Sequence, residues 1–261
     1  MNERTALSAE HLVKKFKVSK KQQKINKSDV KEITAVNDLS VELNKGEIYC
    51  LLGTNGAGKT TTLRMLSTLL RPTEGDIHIG EDSLWKDENK SRSKIGFLTG
   101  ELKLDDAYTP EYLFSYFGKL YKLSDEKIKE RRDELFAEFG IDKYAEVMVK
   151  DLSTGMKQKV SIAIALIHDP EIIIFDEPTN GLDIIASREV VNILKQQKER
   201  GKCVIVSTHI FDIVTKLADR VGIMHNGKLL ASDEYSVLTA DCDIEDAFFK
   251  AINESKEGEK A

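Results

Sequence analysis

The sequence predicts an α/β fold with a parallel β-sheet at its centre, and three observations carry that prediction. An apolar run, Glu47-Ile48-Tyr49-Cys50-Leu51-Leu52, leads into Gly53-Thr54-Asn55-Gly56-Ala57-Gly58-Lys59-Thr60, and Thr61-Thr62-Leu63-Arg64-Met65-Leu66 continues as helix. Strand, glycine-rich loop and helix in that order form the G-x-x-x-x-G-K-[ST] unit. From Ser153 onward the pattern alternates: helix Ser153–His168, strand Ile172–Phe175, helix Ala186–Glu199, strand Cys203–Ser207, helix Phe211–Leu217. Alternation of this kind implies crossovers between parallel strands. Residues 110–149 differ in texture and read as a small helical insert.

The chain has 261 residues, which a single α/β domain can hold, and 41% of them are apolar, enough for a sizeable core. The expected layout places a core and β-rich part at about 1–98 and 155–250, the helical part at about 99–154 and a flexible tail at 251–261. There are 39 basic and 44 acidic residues, a net charge of −5. That balance lacks the basic footprint of a nucleic-acid binder. No apolar run approaches the ~18 residues of a membrane span. The polar start Met1-Asn2-Glu3-Arg4-Thr5 is unlike a secretory signal. Three cysteines, Cys50, Cys203 and Cys242, read as reduced cytosolic thiols. Cys50 and Cys203 sit in strand-like runs, where packing explains them.

Near the start, Ile33-Thr34-Ala35-Val36 and Leu39-Ser40-Val41-Glu42-Leu43 read as two strands. The Lys-rich stretch from Lys14 to Lys31 has one acidic residue, Asp29. It reads as a solvated loop or an extended hairpin, with a partner or lipid-headgroup contact as the alternative. Within it, Asn26-Lys27-Ser28-Asp29 matches the guanine-reading N-K-x-D pattern but precedes the phosphate loop, so it is a coincidence. In the loop itself, glycines turn backbone N–H groups toward phosphate oxygens, and the helix N-terminus adds partial positive charge. Lys59 would reach the β- and γ-phosphates and Thr60 would ligate Mg²⁺. Pro72 to Gly80 reads as a turn and a short hairpin. Pro110 opens one helix, and a second runs from Ser124 to Phe139 and stops at Gly140.

Ser153 suits a helix N-cap and Gly155 permits close backbone approach, so this helix start can meet an anion. Strand Ile172-Ile173-Ile174-Phe175 reads as buried on both faces and ends in Asp176-Glu177-Pro178. Sites in parallel sheets lie beyond the carboxyl ends of strands. Asp176 would hold Mg²⁺ through water, and Glu177 would act as general base on the attacking water. His209, after Ser207-Thr208, would reach a γ-phosphate with a ring nitrogen. Farther on, Asn226-Gly227 marks a type I′ hairpin, and Ser255 to Ala261 reads as a frayed, charged tail.

Taken together these residues resemble the ATP-binding subunits of ABC transporters over roughly residues 8–250. The resemblance rests on Gly53–Thr60 as Walker A, Leu152-Ser153-Thr154-Gly155-Met156 as the signature, and Ile172–Glu177 as Walker B. Asn180-Gly181-Leu182-Asp183 looks like the D-loop and His209 like the switch histidine. It implies a RecA-like core, an antiparallel β-subdomain and a helical subdomain. ATP and Mg²⁺ are the implied ligands. Gly53, Asn55, Gly56, Gly58, Lys59, Thr60, Thr61, Ser153, Gly155 and Asp183 become nucleotide contacts, and Phe16 becomes either the adenine-stacking ring or a core residue. It also implies a dimer, with itself or a related subunit, in which each ATP lies between one chain's Walker A and the other's signature.

Two departures stand out. Thr154 and Met156 replace a Gly and the Gln of the family's L-S-G-G-Q. The family's Q-loop Gln falls on Gly100, after Ile95-Gly96-Phe97-Leu98-Thr99, with Glu101 adjacent. The wording around Thr60–Leu66 and Leu152–Lys159 is similar to exporters with a separate membrane subunit, in particular bacterial sodium-efflux (Nat-type) subunits. The implied protein is a cytoplasmic ATPase, peripheral on the inner membrane face, powering sodium or drug efflux. The alternatives are a soluble ABC ATPase of translation or DNA maintenance, and a P-loop kinase.

Overall fold

The computed structural model describes residues 4–19, 23, 30–100 and 104–258. The N-K-x-D segment and Glu101 lie outside them. Two long strands, β1 (Thr5–Lys17) and β2 (Glu32–Asn44), pair antiparallel from Thr5↔Asn44 to Lys17↔Glu32. The described ends of the basic stretch, Lys14–Lys17 and Lys31, therefore lie at the same end of this antiparallel pair, where Val18 N donates to Lys31 O at 2.8 Å. β2 is one strand where the sequence reads as two. Asn37-Asp38 looks like a turn, but Asp38 sits at φ 55 opposite His11 at φ 51, and the pairing register shifts there. His11 Nδ1 lies 2.7 Å from Asp38 Oδ1 across the irregularity. Asp tolerates the left-handed conformation, so the strand bends through a bulge instead of ending.

β3 (Ile48–Gly53) then enters the loop, and α1 (Lys59–Leu66) leaves it. β4 (Glu74–Ile79) and the two-residue β5 (Asp82–Ser83) form the expected short hairpin. They complete a four-stranded antiparallel sheet in the order β2-β1-β4-β5. After α2 (Glu88–Arg92) and β6 (Ile95–Leu98) comes the helical part. α3 (Pro110–Leu120) is capped by Thr109 and starts with proline; α4 (Asp125–Phe139) is capped by Ser124 and stops at Gly140, φ 64. Phe114 and Phe136 meet edge to face at 5.2 Å between the two helices.

α5 (Thr154–Ala165), β7 (Ile172–Asp176), α6 (Ile184–Glu199), β8 (Cys203–Thr208), α7 (Phe211–Leu217) and β9 (Arg220–His225) follow. β10 (Lys228–Glu234) turns back on β9 through Asn226 and Gly227, both at positive φ, as the dipeptide requires. The second sheet has the order β10-β9-β3-β8-β7-β6, parallel except for the β10 edge.

Every residue of β3, β7 and β8 is buried. Successive side chains point to opposite faces, and both faces are covered. Ile173, Phe175, Val204 and Val206 pack toward the helices, while Ile172, Ile174, Cys203 and Ile205 pack with α1 and the antiparallel sheet. Cys50 and Cys203 are free, buried thiols, and burial pushes both pKa values up.

The chain ends with the short α8 (Tyr235–Leu238) and α9 (Ile244–Gly258). The flexible tail expected from residue 251 is not what the structure shows up to Gly258. Ile244, Ala247, Phe248 and Ile252 recur at helical spacing and are buried. Their stripe docks the helix, and the surrounding charges obscured it in the sequence.

Candidate functional site

The site is assembled at the carboxyl ends of β3, β7 and β8. β3 delivers the loop. Gly58 caps α1 at φ 107, a conformation open to glycine, and a Cβ there would meet Ala35 O at 2.4 Å and Met224 Cε at 2.7 Å. The glycine thus lets the loop pass under β2 and β9. Gly227 N in the β9–β10 turn donates to Ala57 O at 2.9 Å, which fixes the loop from the other side.

Thr54, Asn55, Gly56, Gly58, Lys59, Thr60 and Thr61 line a cleft with Ala35 and Glu177. Lys59 is 5% exposed. Its Nζ donates to Gly53 O at 2.8 Å and Thr54 O at 3.3 Å, and pairs with Glu177 Oε1 at 3.3 Å.

β7 and β8 supply the acids and the histidine. Their parallel pairing sets Asp176 beside Ser207, whose Oγ donates a short hydrogen bond to Asp176 Oδ1. Glu177 N donates to Ser207 O at 3.1 Å and Ser207 Oγ at 3.2 Å. Glu177 has φ 51, which swings its side chain out of the strand and over the cleft. His209 Nδ1 lies 3.0 and 2.9 Å from the two carboxylate oxygens. Lys59, Glu177 and His209 therefore form one contact chain from three elements far apart in sequence. Gly100 stands next to this group: a Cβ there would be 3.3 Å from Asp176 O and 3.9 Å from Glu177 Cβ.

Other expected site residues lie elsewhere. Ser153 is exposed and caps α5, its Oγ accepting from Met156 N at 3.3 Å. A Cβ on Gly155 would be 2.8 Å from Ala186 Cβ, so the close approach this glycine allows within the chain is to α6. Asp183 caps α6, accepting from Ala186 N at 2.8 Å. None of the three lines the phosphate-loop cleft. Phe16 is 41% exposed on β1, paired with the exposed Ile33, so the core-packing alternative fails; it too is outside the cleft lining. Ala35 and Ser207 join the site without a local sequence signal: Ala35 comes from the strand packed over the loop, and Ser207 from the register of β7 against β8.

The profile of the ABC transporter family matches residues 36–180. The chain belongs to the ABC transporter ATP-binding family. Among its relatives, the ABC transporter ATP-binding protein NatA of Bacillus subtilis is 43% identical over 201 residues, 77% of this chain and 82% of that protein. The linearmycin resistance ATP-binding protein LnrL of Bacillus subtilis is 36% identical, covering 76% of this chain and 64% of its own length. The bacitracin transport ATP-binding protein BcrA of Bacillus licheniformis is 37% identical, covering 75% and 63%.

Of the solved structures, an ATP-binding subunit of an ABC transporter superimposes with TM-score 0.80 at 25% identity, over 95% of this chain and all of the other. The fold is also that of a dimeric ATP-binding cassette in a post-hydrolysis state with ADP and Pi, TM-score 0.75 at 24% identity, covering 87% and 98%. As a family member the chain is an ATP-binding and ATP-hydrolysing transporter subunit, with a P-loop core, an antiparallel β-subdomain and a helical subdomain. No described helix is long and apolar enough to cross a membrane.

Proposed function

We propose that this chain powers export through a separate membrane subunit, as the peripheral ATPase on the cytoplasmic face. The substrate is sodium, as the sequence resemblance implies, or an antimicrobial compound, as in the relatives named for linearmycin resistance and bacitracin transport. The observation that supports the catalytic part best is the shared carboxylate of Glu177, 3.3 Å from Lys59 Nζ and 2.9 Å from His209 Nδ1. Lys59 holds the β- and γ-phosphates with the loop N–H groups. Glu177 takes the proton from the attacking water. His209 orients that carboxylate through Nδ1 and keeps Nε2 for the γ-phosphate.

The donor set fits Mg²⁺. Thr60 lines the cleft and carries a hydroxyl, and Asp176 has one oxygen engaged by Ser207. These are hard oxygen donors, and Mg²⁺ takes few protein ligands besides substrate phosphates. When bound, Mg²⁺ neutralises charge on the β- and γ-phosphates.

Ser153, Gly155 and Asp183, outside the lining of the chain's own cleft, serve the ATP of a second copy or a related subunit. Phe16 is the exposed ring for adenine. The membrane partner docks beside α3, where Tyr108 and Tyr112 stack at 4.5 Å and Tyr116 continues the row at 6.4 Å along an open groove.

Glu177→Gln tests the reading. It should bind ATP normally, lose at least about 100-fold in turnover, as expected for removal of a general base, and elute as an ATP-bound dimer in size-exclusion chromatography. A variant that stays monomeric with ATP would overturn the dimer reading.

A further inference from the structure

Ser153 and Glu177 sit on one chain, yet on the reading above they serve different ATP sites: Ser153 the partner's nucleotide, Glu177 the chain's own. A side chain joins the two. Gln158, in the second turn of α5, donates from Nε2 to Pro178 O at 2.8 Å. Pro178 directly follows Glu177, and its carbonyl is its one backbone hydrogen-bonding group, since proline has no N–H. The same turn is held by Asn180 N on Glu177 O at 3.1 Å and by Glu177 N on Ser207 O at 3.1 Å. Those bonds come from the turn itself and from the sheet; the Gln158 bond comes from the signature helix.

The first turn of α5 is also tight against α6, with room for no more than a hydrogen at Gly155. A shift of α5 must therefore reach the Glu177 turn. Glu177 is held at positive φ, a conformation that persists only when its surroundings fix it. We propose that Gln158 is a positioning residue that couples the two ATP sites: nucleotide engaged by Ser153 at one site sets, through Pro178, the carboxylate of Glu177 at the other. The inference rests on the shared-site reading of the dimer.

Steady-state ATPase rates of the purified protein against ATP concentration test it. Wild-type protein should give a Hill coefficient above 1. Gln158→Leu removes the donor at similar volume; its kcat should fall about five- to tenfold, the size of one hydrogen bond, and its Hill coefficient should drop to 1, with ATP affinity of the monomer unchanged. Gln158→Lys keeps an N–H donor and should restore both, which a variant that merely loosens packing would not show. Loss of kcat with the Hill coefficient intact, or no change in either, overturns the coupling. A wild-type Hill coefficient of 1 together with full turnover by Ser153→Arg would instead remove the shared-site reading beneath it.

Discussion

At the end of β7 the backbone turns through Glu177 at φ 51, and a non-glycine residue pays about 1–2 kcal/mol for that conformation. The compensation is local and specific: two hydrogen bonds from its N–H to Ser207, and contacts of its carboxylate with Lys59 and His209. Gly100 is the neighbour at which the resemblance implies a Gln. It is not at positive φ, and a Cβ would sit 3.3 Å from Asp176 O, a tight contact that the backbone must relieve by a few tenths of an ångström. With that small shift, Gly100→Gln should add an amide oxygen near the expected metal ligands. The expected result is a two- to tenfold lower half-saturating Mg²⁺ concentration, about the worth of one added polar contact. An unchanged Mg²⁺ titration would mean that position 100 does not face the metal. The residues of the phosphate loop, the acid pair and His209 were legible because each belongs to a short motif at a strand end. Ser207, Ala35 and Gln158 were not, because their roles come from strand register and helix packing that no local pattern encodes.

Caps and turns carried the element boundaries well. Ser124, Ser153 and Gly140 terminate helices where their chemistry says they should, and Asn226-Gly227 makes its hairpin. Two elements differ from the sequence pattern for physical reasons. Asp38 bends β2 between the two apolar runs that read as separate strands, and the pairing with β1 carries the strand through. α9 hides its apolar stripe among charges, and burial against α7 and β9–β10 defines it. Phe248 anchors this helix: it is 3% exposed and meets Phe211, two residues after His209, at 5.5 Å. Phe249 is 50% exposed. Phe248→Ala should cost about 3–5 kcal/mol, as for a core aromatic, and Phe249→Ala should stay within about 0.5 kcal/mol, as for a surface change. Urea unfolding of the two variants separates them; equal losses would mean that α9 does not dock through Phe248.

For the whole molecule, the decisive arrangement is that Lys59, Glu177 and His209 meet in one cleft while Ser153 is exposed and outside its lining. The proposed closed symmetric dimer would resolve this separation if its two-fold axis carries each chain's Ser153 toward the other's loop. That geometry makes a complementation test possible. Ser153→Arg leaves its own Glu177 intact but spoils the partner's site. Glu177→Gln leaves its Ser153 intact but cannot hydrolyse at its own loop. Each homodimer has no working site. In the mixed dimer, the loop of the Ser153→Arg chain meets an intact Ser153 and retains its own Glu177, so one site works. Random pairing makes half the dimers mixed, each with one working site of two. Turnover of the mixture should recover to about a quarter of wild type or less, the lower values arising where the two sites are coupled. Mixing that gives no more than the average of the separate variants, with mixed dimers demonstrated by affinity tags, would place Ser153 and Glu177 at independent sites.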